Sequence, residues 1–184
     1  MSRPGLEGAY GNAQETFRAA LVIRPNDPDL LFNLARCHEK MGNRQAADKT
    51  YQECLEKAPD HAEARHAVVA QLVATGRRDE ASRQVSAWMR ASPRLPAPYI
   101  EDGWLYAQER DLDTAWKRYQ QAYTLDPLNP RLLVEMARIH ELRDRPGFAL
   151  VSYERSLESN PDQPAIKAKV NELLKAGVSR AHPD

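Results

Sequence analysis

Apolar and small side chains recur along this chain at helical spacing. One face of an α-helix is formed by residues at positions i, i+3, i+4 and i+7. The clearest set of this kind is Leu31, Leu34, Ala35 and His38. Gly42 then interrupts the pattern, and a second run with the same spacing follows it. This stretch therefore predicts two amphipathic helices that are joined by a short turn and folded back on each other.

The same pattern returns every 34 residues. Two ladders carry the period: the prolines Pro25, Pro59, Pro93, Pro127 and Pro161, and the alanines Ala13, Ala47, Ala81, Ala115 and Ala149. Proline cannot continue a helix and ends each second helix, whereas alanine is small enough for two helices to cross closely. A fixed period of this length is typical of a stacked array of helix pairs.

Residues 28–61 carry the fullest version of the pattern, with Leu34, Tyr51 and Pro59 at three of its anchor positions. This succession resembles the tetratricopeptide repeat, a helix-turn-helix unit of 34 residues. The resemblance covers roughly residues 8–177. It implies an all-α fold, an α-solenoid in which antiparallel helix pairs stack into a right-handed superhelix.

The period divides the chain into successive segments. They are a partial repeat at 1–27, full repeats at 28–61, 62–95, 96–129 and 130–163, a capping helix at 164–177 and a tail at 178–184. The capping segment has one apolar stripe and one polar face, which is what the end of a repeat array needs for solubility.

The N-terminal segment matches only the second half of a repeat. Gly8 stands where the turn between two helices is expected, and Pro25 stands where the second helix ends. The chain is therefore expected to begin inside a repeat and to be a fragment of a longer protein. A second helix without its first would leave the face of Ala13, Phe17 and Leu21 partly uncovered. Self-assembly, for example as a homodimer through this helix, is accordingly an alternative function.

Two departures from the pattern concern polar residues. The turns of the third and fourth repeats have Arg110 and Asp144 where the earlier repeats have Gly42 and Gly76. Asp102 stands at a position that is buried in the resembled family. Because an unpaired buried charge is very costly, we expect Asp102 to reach solvent or a partner.

The chain is electrically balanced, with 26 basic and 26 acidic residues and a pI near 7. This argues against a protein that coats nucleic acid or an anionic membrane. RNA binding, as in the related pentatricopeptide arrays, is a weaker alternative because those arrays have a slightly longer period and a basic groove. No apolar run approaches the about 18 residues that span a bilayer, and the N-terminus lacks a signal-peptide pattern. The compartment stays open, cytoplasmic or, if an upstream signal was removed, periplasmic or secreted.

Catalytic motifs are absent from the sequence, including the Walker loop, G-x-S-x-G, H-E-x-x-H and C-x-x-C. We therefore expect no enzymatic activity, no cofactor and no metal site. Cys37 and Cys54 are too few for a disulfide framework, and we interpret them as buried thiols. His38 and His140 occupy the core aromatic position of a first helix, and we interpret them as buried, hydrogen-bonded histidines.

The remaining candidate site is a surface. In the resembled family the first helices of successive repeats line a concave groove that takes an extended peptide or a partner helix. The groove residues carried over to this chain are Phe32, Asn33, Arg36, His66, Ala70, Val73, Ile100, Glu101, Trp104, Gln108, Val134 and Arg138. Exposed apolar residues rimmed by polar ones, with Trp and Arg among them, indicate a protein partner. The alternative is that Trp104 and Ile100 pack on neighbouring helices.

One arrangement known in the family is not expected here. Repeats that hold the C-terminal carboxylate of a chaperone combine asparagines with a basic pair. Asn33 matches one asparagine, but Glu63 and Ala67 stand where the basic pair is needed. The groove therefore lacks a carboxylate clamp of that type.

Overall fold

The computed structural model describes residues 4–181, with side chains described from residue 8 onward. Within this range the chain forms ten α-helices and no strand. The helices are α1 (Pro4–Ile23), α2 (Pro28–Lys40), α3 (Arg44–Lys57), α4 (Ala62–Ala74), α5 (Arg78–Ala91), α6 (Pro96–Gln108), α7 (Leu112–Leu125), α8 (Pro130–Leu142), α9 (Pro146–Ser159) and α10 (Pro164–Lys175). The all-α helical-repeat fold predicted from the sequence is confirmed. The repeat boundaries remain our proposal for dividing these helices.

Side-chain caps set several helix starts. Asp27 accepts hydrogen bonds from the backbone N–H groups of Asp29 and Leu30 at the start of α2, each at 3.1 Å. Asn129 accepts one from Leu132 at the start of α8. In both helices proline follows the cap, where its missing N–H costs nothing. The capping of these two helices therefore depends on residues that are adjacent in sequence, and it can be predicted from the sequence.

The expected turn at Gly8 is wrong, because α1 runs without a break from Pro4 to Ile23. A glycine inside a helix costs about 1 kcal/mol relative to alanine, which is too little to end a helix by itself. Gly42, Gly76 and Gly177, by contrast, adopt positive φ angles of 78°, 75° and 77°. A glycine marks a turn here only where the backbone takes the left-handed conformation.

Arg110 and Asp144 adopt the same left-handed conformation as the glycines they replace, with φ angles of 65° and 54°. This conformation costs a residue with a Cβ roughly 1–2 kcal/mol, and less for Asp or Asn. Each of the two turns joins helices that pack closely on each other, α6 with α7 and α8 with α9. Helix packing therefore holds the turn in a shape that the residue itself disfavours.

Arg110→Gly is expected to raise the free energy of unfolding by about 0.5–1 kcal/mol, because the relief of strain exceeds the extra entropy of glycine in the unfolded chain. Asp144→Gly should gain less. Urea unfolding measures both differences. Gly42→Ala is the matched control and should lose stability by a similar amount. Arg110→Gly variants that are no more stable than the parent would contradict the interpretation.

The chain divides into two compact units, Met1–Gln84 and Val85–Asp184, with the boundary inside α5. In the first unit α1 packs on α2, α2 on α3 and α3 on α4. Its core consists of Leu31, Ala35, Ala47, Tyr51, Cys54 and Ala64. In the second unit α6 packs on α7, α8 on α9 and α9 on α10. Two clusters form its core, one around Ile100, Ala115, Tyr119, Ala122, Leu132 and Ile139, the other around Val134, Ala137, Ala149, Leu150, Tyr153, Val170 and Leu173.

Both cysteines are buried free thiols, as predicted. The Cys54 thiol donates a hydrogen bond to the Pro28 carbonyl oxygen at 3.2 Å. Burial is the main cause that raises the pKa of Cys54 to about 11. A thiol with a raised pKa carries little thiolate at neutral pH and is correspondingly unreactive.

The segment after α10 lies against α9. Arg180 donates two hydrogen bonds to the Glu154 carboxylate, at 2.8 and 2.6 Å. The backbone N–H of Ala181 donates to the Gly147 carbonyl oxygen at 3.3 Å. The predicted tail at 178–184 is therefore attached as far as residue 181, and residues 182–184 lie outside the described range.

No helix within the described range combines the length and the apolar character needed to cross a bilayer.

The two histidines of the first helices differ in their surroundings. His38 is buried, and Gln14 Nε2 lies 3.2 Å from its Nδ1 atom. His140 lies between Trp116, at 4.9 Å between ring centroids, and Phe148, at 5.3 Å. The expectation of a hydrogen-bonded histidine holds for His38, whereas His140 Nδ1 is buried without a hydrogen-bond partner in the described structure. The two histidines differ because His38 has the polar Gln14 as a neighbour, whereas His140 has the aromatic rings of Trp116 and Phe148.

Acidification is expected to lower the stability of the chain. Burial lowers the pKa of His38 and of His140, and nearby arginines add to both effects. A histidine whose folded pKa lies below its unfolded value of about 6.5 contributes stability that is lost as pH falls below 6.5. Each histidine should cost at most about 1.4 kcal/mol between about pH 7.5 and 5.5. Urea unfolding at both pH values measures the loss.

The His38→Gln/His140→Phe variant is the control and should show a flatter dependence on pH. Asp102 acts in the opposite direction at lower pH, because burial raises the pKa of its carboxyl group. The comparison is therefore made above about pH 5.5, where carboxyl groups with ordinary pKa values stay ionised. A wild-type chain that gains stability on acidification in this range would show the sign to be wrong.

Candidate functional site

In the first unit, the predicted groove residues remain at the surface. Arg36 is exposed, whereas Phe32, Asn33, His66, Ala70 and Val73 are partly exposed. Phe32 is the centre of this set, since the guanidinium carbon of Arg36 lies 5.7 Å from its ring centroid. On its other sides the Phe32 ring meets His61 at 4.9 Å and Tyr51 at 6.0 Å between centroids. The first unit therefore presents an aromatic ring under an exposed arginine.

His61 fixes the start of α4 beside this ring. Its Nδ1 atom accepts a hydrogen bond from the Ala64 backbone N–H at 3.3 Å, which caps the helix. Two exposed carboxylates lie near the imidazole, Asp29 Oδ1 at 3.3 Å from Nε2 and Glu63 Oε2 at 3.4 Å from Nδ1. The rim of the surface in the first unit is therefore acidic at the starts of α2 and α4.

In the second unit, three of the predicted groove residues are buried, which corrects the expected exposed patch. Ile100 packs with Ala115 and Tyr119 in one core cluster, and Val134 belongs to the other. Glu101 has no exposed surface. The alternative that Ile100 packs on neighbouring helices is thereby confirmed.

The other groove residues of the second unit reach solvent. Trp104 is partly exposed, and Gln108 and Arg138 are exposed. In this unit α6 also contacts α8 directly. Each of these first helices is therefore covered over a wider face than its own helical periodicity predicts. The surface of the second unit is therefore narrower and more polar than expected.

Ion pairs link the first helices of the second unit. The buried Glu101 carboxylate of α6 accepts a hydrogen bond from Arg131 of α8. Lys169 of α10 lies 3.0 Å from Glu141 of α8. In each pair the cation is partly exposed and the carboxylate is less exposed.

Within α8, Glu135 pairs with Arg138 at 2.7 Å. The Glu135 side chain is mostly buried, whereas 55% of the Arg138 side chain is exposed. The mostly buried Glu135 carboxylate therefore orients the exposed guanidinium of Arg138.

Asp102 finds its partner on the second helix of the same repeat, as expected of a carboxylate at a buried position. Its carboxylate lies 2.7 Å from Nε of Arg118. Burial raises the pKa of Asp102, and the Arg118 charge opposes that rise. The pair belongs to the packing between α6 and α7 rather than to the exposed face.

Two tyrosines of the second helices hydrogen-bond to glutamates of the first helices. Tyr51 donates to Glu39 at 2.8 Å in the first unit, and Tyr153 donates to Glu141 at 2.7 Å in the second. Burial and then the glutamate raise the pKa of each tyrosine well above its ordinary value. Each pair ties the two helices of one repeat together.

Tyr119 holds the equivalent place in the third repeat, but its hydroxyl has no hydrogen-bond partner in the described structure. Its ring lies against Gly103, where a Cβ atom would come within 2.5 Å of Tyr119 Cε1. The tyrosine is fully buried. The third repeat therefore contains a buried polar group that the neighbouring helices leave unsatisfied.

Sequence reasoning placed Arg131 and Glu135 at groove positions but missed the ion pairs that they form with Glu101 and Arg138, and it missed the orphaned Tyr119 hydroxyl. Arg131 and Glu135 stand at positions two and six of the fourth repeat, which the resembled family uses for its groove. The Tyr119 signal was also present, because the residue twelve positions earlier is Ala107 instead of a glutamate. The role of each of these side chains depends on which residues of a neighbouring helix it contacts, and the sequence does not give those contacts.

Comparison with known proteins assigns this arrangement to a class. A family model described as "Tetratricopeptide repeat" matches residues 6–72. Among solved structures, a thermophilic TPR protein of Thermus thermophilus has a TM-score of 0.66 at 24% identity, covering 91% of this chain and 92% of that one. A tetratricopeptide repeat protein of Parabacteroides merdae has a TM-score of 0.70 at 17% identity, covering 91% and 65%. Structural likeness at this level of identity shows the fold alone.

Residues 6–72 therefore match the tetratricopeptide repeat family in sequence, and the described helices have the fold of tetratricopeptide repeat proteins. Relatives of the chain include human protein O-mannosyl-transferase TMTC1, 22% identical over 170 residues, which are 90% of this chain and 19% of that protein. Cellulose synthase operon protein C of Pseudomonas fluorescens is 27% identical over 168 residues, which are 85% of this chain and 13% of that protein. The chain spans less than a fifth of the length of either relative.

Proposed function

We propose that this chain is a non-catalytic module that binds a peptide or a helical segment of another protein on the face of its first helices. Tetratricopeptide repeats generally mediate protein–protein interaction, and the fold is generally non-enzymatic. The choice of this face and of this kind of partner is our proposal. The observation that carries it is the partly exposed Phe32 ring beneath the exposed Arg36 guanidinium.

Such a pair is suited to binding because aromatic and arginine side chains dominate the energetics of protein interfaces. The Phe32 ring offers apolar area, and Arg36 offers a planar set of donors that is weakly hydrated. Ala70 and Val73 of α4 add small and apolar surface in the same unit. In the second unit Trp104 and Arg138 supply the same two chemical types.

The activities of the longer relatives are not carried over to this chain. The name of the human relative describes a mannosyl transferase, and that of the bacterial relative refers to a cellulose synthase operon. This chain corresponds to a small share of each. Identifying the protein that binds this chain would show whether it acts in either of these processes.

Arg36→Glu is expected to weaken binding of a captured partner at least about tenfold, because it removes a guanidinium and its contact with Phe32. The wild-type chain is used for affinity purification from a lysate of the source organism, and the partner is identified by mass spectrometry. Its affinity for purified wild-type and variant chains is then measured by surface plasmon resonance. Ile100 is avoided as a test site because it is buried.

Arg44→Glu is the matched control. It makes the same change of charge on α3, at an exposed position where an acidic residue suits a helix N-terminus. A partner that binds Arg36→Glu as tightly as the wild type would place the site elsewhere. A partner that loses affinity equally in both variants would indicate a long-range charge effect.

A second candidate function is self-association through α1. Val22 and Ile23 at its end are 83% and 82% exposed, more than the other large apolar residues of the described structure. Sedimentation equilibrium over a range of concentrations measures association, with Val22→Lys/Ile23→Lys as the test variant. A chain that stays monomeric at the highest concentration excludes this function.

A further inference from the structure

The chain carries tyrosine at the same place in three of its repeats. Tyr51, Tyr119 and Tyr153 each lie in a second helix and are buried. In the first and last of these, the phenol donates a hydrogen bond to the glutamate twelve residues earlier. In the third repeat that position is Ala107. In two repeats the tyrosine hydroxyl therefore has a glutamate as its acceptor, and in the third repeat that glutamate is absent.

The Tyr119 hydroxyl is consequently an unsatisfied group. Its side chain has 0% relative exposure, and the oxygen has no hydrogen-bond partner in the described structure. Burying a hydroxyl without a partner is unfavourable, and native proteins seldom leave such groups unpaired. A missing acceptor is therefore the simplest physical account of this hydroxyl.

Burial of the tyrosine does not prevent an acceptor from reaching it. Tyr51 is also buried, with 2% relative exposure against 0% for Tyr119, yet its acceptor Glu39 is an exposed residue of α2. The carboxylate in that repeat belongs to an exposed residue and still reaches the hydroxyl of the buried tyrosine. At the equivalent position of α6, Ala107 has only a methyl group and supplies no acceptor, and the adjacent Gln108 is exposed.

Charged groups of both signs lie near Tyr119, and one of them is an exposed cation. Glu135, Arg131, Glu101 and Arg138 all lie close enough to act on its phenol. Each of the two glutamates is already paired with one of the two arginines. Arg138 is the more exposed of these arginines. A guanidinium in this position can engage a second carboxylate through its remaining N–H groups.

We propose that Tyr119 and Arg138 form a subsite for an acidic side chain, aspartate or glutamate, of the bound partner. The partner carboxylate accepts the Tyr119 hydrogen bond, as Glu39 and Glu141 do within the chain, and pairs with the Arg138 guanidinium. This inference rests on the proposed function, because it names the chemistry of one partner residue. It differs from a clamp on a C-terminal carboxylate, because it requires neither a chain end nor a basic pair in one helix.

The test uses a phage-displayed library of random linear peptides selected on the wild-type chain. The selected peptides are expected to share an aspartate or glutamate at one fixed position. Replacing that residue by its amide should weaken binding about tenfold, as expected when a hydrogen bond to a charged group is lost. Fluorescence anisotropy of labelled peptides measures the dissociation constants.

Tyr119→Phe should weaken binding of the acidic peptide by a similar factor and leave the amide peptide unaffected. This variant removes only a hydroxyl that makes no hydrogen bond, so folding should be preserved. Tyr153→Phe is the matched control, since that hydroxyl already has Glu141 as its acceptor. It should leave the affinity of both peptides unchanged.

Ala107→Glu supplies the missing carboxylate within the chain and should weaken the acidic peptide at least about tenfold by occupying the subsite. With tyrosine at position 119, Ala107→Glu should also stabilise the fold, because it gives the hydroxyl an acceptor. In the Tyr119→Phe background the same substitution should not stabilise the fold. Thermal unfolding of the four chains measures this coupling.

The outcomes separate the subsite from the proposed function. Peptides that bind equally well as acid and amide, or equally to wild type and Tyr119→Phe, would overturn the subsite and leave peptide binding intact. A crystal structure of such a complex with an ordered water on the Tyr119 hydroxyl would identify the actual acceptor and overturn the subsite as well. If the wild-type chain retains no displayed peptide, the proposed function fails and the subsite fails with it.

Discussion

Replacing Arg131 with methionine is expected to lower the free energy of unfolding by about 3 kcal/mol, the scale found when one partner of a buried ion pair is removed. Arg131 of α8 pairs with Glu101 of α6, whose side chain has no exposed surface. Methionine keeps much of the apolar contact of the arginine stem but removes the cation that neutralises this carboxylate. Urea unfolding followed by circular dichroism measures the difference.

Two further variants identify the cause of that loss. Glu101→Gln in the Arg131→Met background removes the charge that has lost its cation, and should recover part of the stability. Arg131→Lys keeps the charge without the planar fork of donors, and should lose less than Arg131→Met. A loss below about 1 kcal/mol for Arg131→Met, the level of a surface ion pair, would contradict the assignment of a buried pair.

Gly103→Val is expected to cost about 3 kcal/mol through overpacking between α6 and α7. A Cβ atom at this position would lie 2.5 Å from Cε1 and 2.7 Å from Cδ1 of Tyr119. The ring is fully buried and has little room to withdraw. Gly11→Val is the control, because no atom lies within 4 Å of its added Cβ and valine is favoured over glycine in a helix.

The size of the Tyr119 ring should set this cost. In a Tyr119→Leu background, Gly103→Val is expected to cost less than in the wild type, since leucine leaves space beside α6. The coupling is obtained from a double-mutant cycle by thermal or urea unfolding. Equal costs in the two backgrounds would mean that the clash with Tyr119 is not the source of the loss.

The helices and their ends were largely predictable because they depend on local chemistry. The 34-residue period placed the proline and alanine ladders, and the caps at Asp27 and Asn129 make the hydrogen bonds expected of them. The prediction failed at Gly8, where glycine was interpreted as a turn although α1 continues through it. Glycine permits a left-handed turn but does not require one.

The candidate site was only partly predictable because exposure depends on residues that are distant in sequence. Groove register placed Phe32, Arg36, Trp104 and Arg138 at positions where they do reach solvent. The same register also included Ile100, which the structure buries. A helical period tells which side chains share a face, but not how much of that face a neighbouring helix covers.

The sequence by itself determined the all-α repeat fold, the helix caps and the buried thiols, because each follows from periodicity or from chemistry within a few residues. Only the tertiary structure decided which groove residues are exposed, that Glu101 pairs with Arg131, and that the Tyr119 hydroxyl is unsatisfied. It also decided that Arg110 takes a left-handed conformation, because the packing of α6 on α7 constrains the turn between them. These features arise from contacts between helices, and such contacts are fixed by packing in three dimensions rather than by local spacing.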